Sequence, residues 1–312
     1  MVVDTILFGD CRETLKEFDG KARTCVTSPP YYGLRDYGGE ESQIGQEQTP
    51  EEYIQSLVEV FRSVRDVLTD DGTLWVNIGD SYYNYRPGKG QALPKQTVSK
   101  TKQDLPDKCA KRGNKLEGLK EKDLIGIPWM LAFALRADGW YLRQDIIWHK
   151  PNPMPESVKD RCTKSHEYIF LLSKNRKYYY NNEAIKEPVK QDWGTRDRTK
   201  GKYHNPGTGL VPHSGLSKSY DRKNKRDVWT VTNKPYKGAH FAVYPPDLIE
   251  PCIKAGSEEG DIVLDPFMGS GTTALVSKSL NRHYIGCELH EDYGRLIQKR
   301  LSEKSFARLK LE

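Results

Sequence analysis

The stretch from Ile262 to Thr273 constrains the fold of this chain more than any other part of its sequence. It opens with three aliphatic residues, reaches the carboxylate Asp265, and runs through Gly269 and Gly271 into a segment typical of a helix. Glycine permits tight turns and a close approach of the backbone to a bound molecule, and the first N–H groups of a helix lack partners within it. The stretch therefore predicts a strand, a turn that can approach a ligand, and a helix.

Apolar runs rich in β-branched residues recur along the chain and predict seven strands. They lie at residues 5–8, 24–27, 73–77, 142–148, 167–172, 262–264 and 284–287. Several are apolar throughout, as expected of strands covered on both faces. Helical patterns alternate with them at 128–135, at 292–301 and after Thr49. The alternation predicts an α/β fold with a doubly wound, seven-stranded, mostly parallel sheet.

The clearest helix signal begins at Thr49. There, Thr49-Pro-Glu-Glu52 combines an N-cap threonine, a proline at the first helical position and a glutamate at the third. The apolar residues that follow recur every three or four positions and form one stripe. They are Tyr53, Leu57, Val60, Phe61, Val64, Val67 and Leu68. This pattern predicts an amphipathic helix that packs through the stripe.

Charge is distributed unevenly along the chain, whose 49 basic and 43 acidic residues give a net charge of +6. Residues 82–122 contain 11 basic and 4 acidic residues, and residues 174–238 contain 16 and 6, so the remainder holds 22 and 33. An acidic body with two basic segments is typical of an enzyme that binds a polyanion. The alternative is that basic loops only keep the surface solvated.

Neither basic segment fits the alternation of strands and helices. Residues 83–120 are rich in Gly, Pro, Gln and Lys and almost lack periodic apolar residues, which predicts a mobile insertion. Residues 176–238 interleave basic residues with tyrosine and tryptophan. That segment is too aromatic for a disordered linker and too poor in aliphatic residues for a full domain.

Several other classes of protein are disfavoured by the sequence. No run of about 18 apolar residues predicts a membrane span, and the first residues lack the basic start of a signal peptide. The six cysteines show no CxxC spacing, which favours reduced thiols in a cytoplasmic protein over disulfides or a zinc site. His166-Glu167 is not followed by a second histidine at helical spacing, so we expect no metal site.

A second motif, Thr27-Ser-Pro-Pro-Tyr31, follows a predicted strand near the start of the chain. Its two prolines remove N–H donors and leave the backbone carbonyls as acceptors. An amine that reacts as a nucleophile needs such acceptors, and Ser28 Oγ with the carbonyl of Ser28 or Pro29 can supply them. Tyr31 offers a flat face on which a planar base can stack. The alternative reading is an ordinary turn.

The glycine stretch departs from the common nucleotide-binding patterns. It lacks the third glycine of the dinucleotide fingerprint and the Gly-Lys-Ser/Thr of a phosphate-binding loop. Glu288 ends the next predicted strand, about 20 residues after the turn, which is the spacing of a carboxylate that binds ribose hydroxyls. Asp10 follows the first strand in a similar way. For both acids, capping of a helix is the alternative role.

The proline motif early in the chain and the glycine motif late together resemble the beta-class, circularly permuted DNA amino-methyltransferases. The resemblance covers about residues 1–82, 121–175 and 239–301, including 148–155 and 164–170. It implies a Rossmann-like methyltransferase fold and the cofactor S-adenosyl-L-methionine, whose methyl group passes directly to an exocyclic amine of a flipped base in double-stranded DNA. No covalent intermediate with the enzyme is implied.

The resemblance also implies roles for individual residues. The catalytic set is Ser28, Pro29, Pro30 and Tyr31. The cofactor set is Asp10, Thr27, Phe241, Pro245, Asp265, Pro266, Phe267, Gly269, Ser270, Gly271, Thr272 and Glu288. Asp10 is expected at the adenine amine, Glu288 at the ribose, and Phe241 with Pro245 at the methionine portion.

The remaining expectations concern DNA recognition and partners. We expect a catalytic half at 1–175 that carries the insertion 83–120, a target-recognition region at 176–238 and a cofactor-binding half at 239–312. The candidate DNA-binding residues are Arg196, Arg198, Arg222, Lys223, Lys225 and Arg226. They can contact phosphate or guanine edges. A cognate restriction endonuclease is a candidate partner, and both a monomer and a homodimer remain open.

Which base is modified depends on the proline motif. In the resembling family, Ser-Pro-Pro-Tyr is commoner in cytosine-N4 enzymes, whereas adenine-N6 enzymes more often begin the motif with Asp or Asn. Cytosine N4 is therefore the expected target and adenine N6 the alternative. An RNA or protein methyltransferase, or an inactive DNA-binding relative, is a further alternative.

Overall fold

The computed structural model describes residues 2–33, 43–83, 116, 118–189, 221–233 and 244–302. The strands are β1 (Thr5–Phe8), β2 (Ala22–Thr27), β3 (Leu68–Ile78), β4 (Tyr141–His149), β5 (His166–Ser173), β6 (Glu187–Pro188), β7 (Arg222–Lys223), β8 (Val228–Thr230), β9 (Ile262–Asp265) and β10 (His283–Glu288). The α-helices are α1 (Cys11–Thr14), α2 (Pro50–Val67), α3 (Ile127–Ala137), α4 (Pro246–Gly256), α5 (Thr272–Ser279) and α6 (Asp292–Ser302).

The main sheet has the strand order β1-β10-β9-β2-β3-β5-β4-β8. All its described pairings are parallel except those of β5, which runs antiparallel to β3 and β4. Each of the seven predicted strands is present, so the mostly parallel α/β sheet is confirmed. In the described part of the chain the sheet nevertheless has eight strands, so the expected count of seven was wrong.

The additional strand is β8, which pairs in parallel with β4 and aligns Trp229 with Trp148. It is three residues long, and only Trp229 is buried, at 6% exposure against 57% for Val228. So short a strand shows no alternation of apolar and polar residues that a sequence pattern can detect. Trp148 Nε1 also donates to the Val231 carbonyl at 2.9 Å, which fixes this edge of the sheet.

Helices cover both faces of the sheet, as the doubly wound prediction requires. Successive residues of a strand point to opposite faces, and β2 shows this directly. Cys25 belongs to the core cluster that includes the apolar side chains of α2 and α3. Thr24 faces α4, where Gly256 lies so close that an added Cβ would come within 2.6 Å of Thr24 Oγ1.

Helix α2 begins where the sequence predicted. The Thr49 side chain accepts from the Glu52 N–H, and the Glu52 carboxylate accepts from the Thr49 N–H, which completes a capping box. The predicted apolar stripe is buried from Tyr53 to Val67. The helix therefore packs on the sheet through one face and brings the Tyr53 hydroxyl beside the proline motif.

The chain divides into two compact units. The large unit comprises Met1–Tyr180 and Asp227–Glu312, and the small unit comprises Asn181–Arg226. In the small unit, β6 and β7 form an antiparallel pair. Predictions for Phe241, Arg196 and Arg198, and for most of the insertion 83–120, lie outside the described residues. No helix in the described part of the chain has the length and apolar character needed to cross a bilayer.

Candidate active site

The proline motif and the glycine motif meet at one edge of the sheet. Strands β2 and β9 are parallel neighbours, with Cys25 aligned to Leu264, and each motif follows the carboxyl end of its strand. From β9 the chain continues to β10 on one side, whereas from β2 it continues to β3 on the other. Ligands of open α/β sheets bind at such a switch point. The fold therefore joins two motifs that are distant in the sequence.

Asp265 ties the two motifs together and is completely buried. Its Oδ1 accepts from Thr27 Oγ1 at 2.6 Å and from the Phe267 N–H at 3.0 Å. Its Oδ2 accepts from Thr273 Oγ1 at 2.5 Å and from the Tyr244 hydroxyl at 3.0 Å. Burial raises the pKa of Asp265, and these hydrogen bonds oppose the rise. All four bonds are internal, so the carboxylate shapes the site.

The glycine turn needs its glycines for steric reasons. Gly269 and Gly271 have φ values of 53° and 79°, in the left-handed region that side chains disfavour. A Cβ on Gly271 would also come within 2.8 Å of Ile297 Cγ2 on α6. Gly271 directly precedes α5, whose N–H groups begin at Thr272. The glycine turn therefore packs closely against α6 just before α5 begins.

Arg300 on α6 holds the same turn and was not among the predicted site residues. Its Nη1 donates to the Ser270 carbonyl at 2.9 Å, to Ser270 Oγ at 2.7 Å and to Thr272 Oγ1 at 3.0 Å. The only signal in the sequence is a basic residue in the last turn of a predicted helix, which ordinarily indicates interaction with the helix dipole. The contact depends on the packing of α6, which local patterns do not reveal.

Glu288 ends β10 and lies against the glycine turn. Its Oε2 accepts from the Gly269 N–H at 2.8 Å, and its Oε1 accepts from the His290 N–H at 3.1 Å. Burial raises the pKa of Glu288 to about 7, although these backbone hydrogen bonds act to lower it. A buried carboxylate next to a ligand-facing turn is suited to bind hydroxyl groups of a ligand.

Asp10 caps a helix, which is the alternative that the sequence left open. Its Oδ1 accepts from the Arg12 N–H at 2.9 Å, and its Oδ2 pairs with the Arg12 guanidinium at 2.5 Å. Burial acts to raise the pKa of Asp10, but Arg12 outweighs burial and the pKa is lowered. Asp10 lies two residues after Phe8, which aligns with Glu288 in the sheet. A contact with adenine remains a prediction.

The proline motif is anchored at both ends. Thr27 is bonded to Asp265, and the Tyr53 hydroxyl donates to the Pro30 carbonyl at 2.7 Å. The Pro30 carbonyl is thus engaged by the protein, whereas the sequence analysis named only the acceptors of Ser28 and Pro29. The Tyr31 hydroxyl donates to Glu167 Oε2 at 2.7 Å. Glu167 was not among the predicted site residues, because its distance in sequence conceals this contact.

The other predicted residues are distributed as follows. Pro245 directly precedes α4 and follows Tyr244, the residue bonded to Asp265. In the small unit, Arg226 pairs with Glu187 at 2.7 Å, and Arg222 Nη2 donates to the Lys186 carbonyl at 2.8 Å. Lys223 and Lys225 are partly exposed there. The described residues contain no group of three side chains able to hold a metal ion.

Comparisons with known proteins agree with this geometry. The DNA methylase family, which comprises N6 and N4 enzymes, matches residues 22–299. The chain is 47% identical over 302 residues to the type II methyltransferase M.SmaI of Serratia marcescens, covering 95% of this chain and 90% of the relative. It is also 47% identical over 298 residues to the type II methyltransferase M.Cfr9I of Citrobacter freundii, covering 95% and 87%.

Solved structures show the same fold. The PvuII DNA methyltransferase, described as cytosine-N4-specific, superposes with a TM-score of 0.61 at 17% identity, covering 99% of this chain and 91% of that one. The complex of M1.HpyAVI with S-adenosylmethionine gives a TM-score of 0.52 at 19% identity, covering 96% and 98%. The family match extends over most of the chain and includes both motifs. The chain therefore belongs to the N6/N4 DNA methylase family.

Proposed function

We propose that this S-adenosylmethionine-dependent DNA methyltransferase modifies the N4 amine of a cytosine at a specific site in double-stranded DNA. The observation that carries the proposal is the Thr27–Asp265 hydrogen bond, which joins the proline motif to the glycine turn at the switch point of the sheet. One motif suits an amine-bearing base and the other suits the cofactor. Their juxtaposition would bring the amine and the methyl donor together.

The choice of cytosine rests on Ser28 at the first position of the Ser-Pro-Pro-Tyr motif. Adenine N6 is the alternative, because the motif does not strictly separate the two targets. Mass spectrometry of nucleosides from the DNA of an expressing host would decide between them. We expect N4-methylcytosine, and N6-methyladenine in its place would overturn the choice of base. Labelled methyl transfer to RNA or protein but not to DNA would overturn the proposal itself.

The residues around the glycine turn fit S-adenosylmethionine. Glu288 provides a buried carboxylate that would accept the ribose hydroxyls, and the left-handed glycines at 269 and 271 let the backbone approach the ligand. The described turn has no phosphate-binding lysine, and this cofactor carries no phosphate. When bound, the cofactor supplies an electrophilic methyl group on a sulfonium centre.

The chain's contribution to the reaction would be positioning and hydrogen-bond acceptance. As its new bond to the methyl carbon forms and the sulfonium departs as a neutral thioether, the amine nitrogen would gain positive charge and would release one proton to solvent. Ser28 Oγ and the carbonyl of Ser28 or Pro29 would accept hydrogen bonds from the amine, because the Pro30 carbonyl already accepts from Tyr53. Hydrogen bonds aimed at developing charge are usually the largest catalytic contribution.

Cofactor affinity should depend on pH through Glu288. Its pKa of about 7 lies above the ordinary glutamate value of about 4.3. Ribose hydroxyls donate to the ionised carboxylate, so binding lowers this pKa and releases a proton. Affinity measured by calorimetry is therefore expected to rise with pH by up to about tenfold per unit below pH 7 and to level off above it.

Without cofactor, ionisation of Glu288 lowers the stability of the folded chain, whereas it raises the affinity for the cofactor. Because the folded-state pKa of Glu288 is raised, its contribution to stability is full below the unfolded pKa of about 4.3 and is lost as pH rises through about 7. Glu288→Gln should abolish the pH dependence of binding, whereas Glu258→Gln, on an exposed residue, should retain it. Wild-type affinity that is flat between pH 6 and 8 would contradict this role.

We also propose that residues 176–238 form the target-recognition region, between a catalytic half at 1–175 and a cofactor-binding half at 239–312. The compact small unit, Asn181–Arg226, supports this because it lies within that segment and carries a basic β-pair. A cognate restriction endonuclease is the proposed functional partner, since the relatives named above are type II methyltransferases.

Neutralising the basic cluster of the small unit should make DNA binding weaker and less dependent on salt. The variant replaces Arg222, Lys223, Lys225 and Arg226 with glutamine. Each lost phosphate contact reduces the slope of log K against log salt by about 0.9 on duplex DNA, so loss of two to four contacts would be measurable. Titrations by fluorescence anisotropy at several salt concentrations provide the measurement.

The matched control neutralises four basic residues near the amino-terminal edge of the sheet. They are Lys21, Arg62, Lys254 and Lys278. This control should keep the wild-type slope, and both variants should keep the wild-type affinity for S-adenosylmethionine. If the small-unit variant also keeps the wild-type slope and affinity, its basic cluster is only a solvated surface. If the small-unit variant keeps its overall affinity for DNA but no longer prefers its own site, the basic cluster reads bases.

A further inference from the structure

A cluster of polar side chains surrounds the Tyr31 hydroxyl, and its members other than Tyr31 have no role in the function proposed so far. We call it the Tyr31 cluster, and it consists of Tyr31, Glu167, Lys150 and Asn77. Glu167 Oε2 accepts from the Tyr31 hydroxyl at 2.7 Å and from Asn77 Nδ2 at 3.3 Å. Glu167 Oε1 pairs with Lys150 Nζ. Three different donors therefore converge on one carboxylate.

The cluster is largely removed from solvent. The side chains of Lys150 and Glu167 are only 15% and 13% exposed, and Lys150 Nζ lies 4.1 Å from the centroid of the Trp148 ring. Burying an ion pair costs free energy unless further hydrogen bonds satisfy it. Here Tyr31 and Asn77 donate those hydrogen bonds to the Glu167 carboxylate. Asn77 is itself fixed by donation to the Tyr168 carbonyl at 3.1 Å. The arrangement is thus anchored on two strands, with Asn77 on β3 and Glu167 on β5, while Tyr31 and Lys150 follow the ends of β2 and β4.

Tyr31 is held on two sides. Its hydroxyl is bonded to Glu167 and lies within hydrogen-bonding reach of the Ser28 side chain, and its ring lies against the end of β3, where a Cβ on Gly79 would come within 2.9 Å of Tyr31 Cε2. Burial first and the charge of Glu167 second raise the pKa of Tyr31 well above its usual value, so the hydroxyl stays protonated and donates. A stacking partner is effective only when its plane is fixed, and both contacts restrict rotation of this ring.

We propose that Glu167 is a positioning residue for base methylation, since with Lys150 it fixes the Tyr31 ring against which the target base stacks. This inference rests on the proposed function, because it requires a flipped base beside the proline motif. Glu167 acts through the Tyr31 hydroxyl and touches neither the base nor the cofactor. Lys150 neutralises the carboxylate, so that a buried charge is tolerated next to the site.

The test compares Glu167→Gln, Tyr31→Phe and the double variant in single-turnover methylation of DNA. Tyr31→Phe removes the hydrogen bond to the carboxylate, and Glu167→Gln removes its charge and replaces one of its two acceptor oxygens with a donor, so we expect each single change to lower the rate by about 10- to 100-fold. If Glu167 acts through Tyr31, the double variant should be no slower than the slower single variant. Because residues in one hydrogen-bond network couple whatever their role, the melting temperature separates the two cases: a purely structural role would lower it and leave the single-turnover rate of the folded variants unchanged.

Calorimetry with S-adenosylmethionine and melting temperatures accompany the rates. Cofactor affinity should stay within about twofold of wild type in the folded variants, since the Tyr31 cluster makes no contact with the glycine turn among the described residues. Glu250→Gln is the matched control, because it removes a glutamate from a lysine pair on α4. It should methylate at the wild-type rate.

The outcomes separate the inference from the function on which it rests. If the wild-type chain transfers no methyl group to DNA, both are overturned. If it does so while Glu167→Gln and Tyr31→Phe keep its rate, or if their effects multiply as independent changes, only the inference fails. Should Glu167→Gln not fold because Lys150 has lost its counter-charge, Tyr31→Phe alone decides, and an unchanged rate in that variant overturns the inference.

Discussion

Asp265→Ala is expected to abolish measurable binding of S-adenosylmethionine. The change removes an acceptor with four internal donors, so the hydroxyls of Thr27, Thr273 and Tyr244 would lose this partner in a buried site. Each unsatisfied buried group costs about 1–3 kcal/mol of folding free energy, so the residues around the lost carboxylate are expected to rearrange and the cofactor site to lose its shape. The glycine turn would also lose its hydrogen bond at Phe267.

Calorimetry measures the cofactor affinity of each variant. A matched control shows whether the loss of binding in Asp265→Ala is specific to the site or follows from removing any carboxylate near β9. The control is Asp261→Ala, at the residue just before the amino end of the same strand. There the carboxylate accepts from Arg23 Nε and from the Glu258 N–H. It should bind the cofactor normally. Asp265→Asn keeps the shape of the side chain but not its charge, so its cofactor affinity should lie between those of Asp265→Ala and Asp261→Ala. Wild-type affinity in Asp265→Ala would show that the carboxylate does not shape the cofactor site.

The sequence predicted the features that depend on local patterns. The strand that ends in Asp265, the glycine turn and the helix after it form one continuous signal, and the capping box at Thr49 fixes the start of α2. The shared switch point was not predicted, because it depends on the strand order β10-β9-β2-β3, which local patterns do not reveal. The short strand β8 escaped prediction, since only Trp229 in it is buried.

Contacts that depend on tertiary packing could not be predicted from the sequence. Glu167 meets Tyr31 across 136 positions of the chain, and Arg300 reaches Ser270 across 30. Asp10 illustrates a different limit: the same residue after a strand can bind a ligand or cap a helix, and Arg12 occupies its carboxylate here. Sequence patterns identify the residue types at a site, whereas the partners of those residues depend on the fold.

The second large effect is expected for Ser28→Ala, in the rate of methyl transfer at saturating DNA and cofactor. Ser28 lies between two anchors, the Thr27–Asp265 bond and the Tyr53–Pro30 bond, and its side chain is within hydrogen-bonding reach of the Tyr31 hydroxyl. We propose that it accepts from the amine as that nitrogen gains charge. Removing one preorganised group aimed at developing charge costs about 100- to 1,000-fold in rate.

Single-turnover rates and DNA affinities, measured on the same variants, test whether Ser28 acts in the chemical step. Ser28→Ala should bind DNA and cofactor within a few fold of wild type, because its contact strengthens only in the transition state. Ser28→Asp should keep part of the activity, since a carboxylate there also accepts hydrogen bonds. The control Ser56→Ala removes an exposed hydroxyl of α2 and should change nothing. If Ser28→Ala weakens only DNA binding and retains the single-turnover rate, Ser28 holds the DNA and does not assist the transfer.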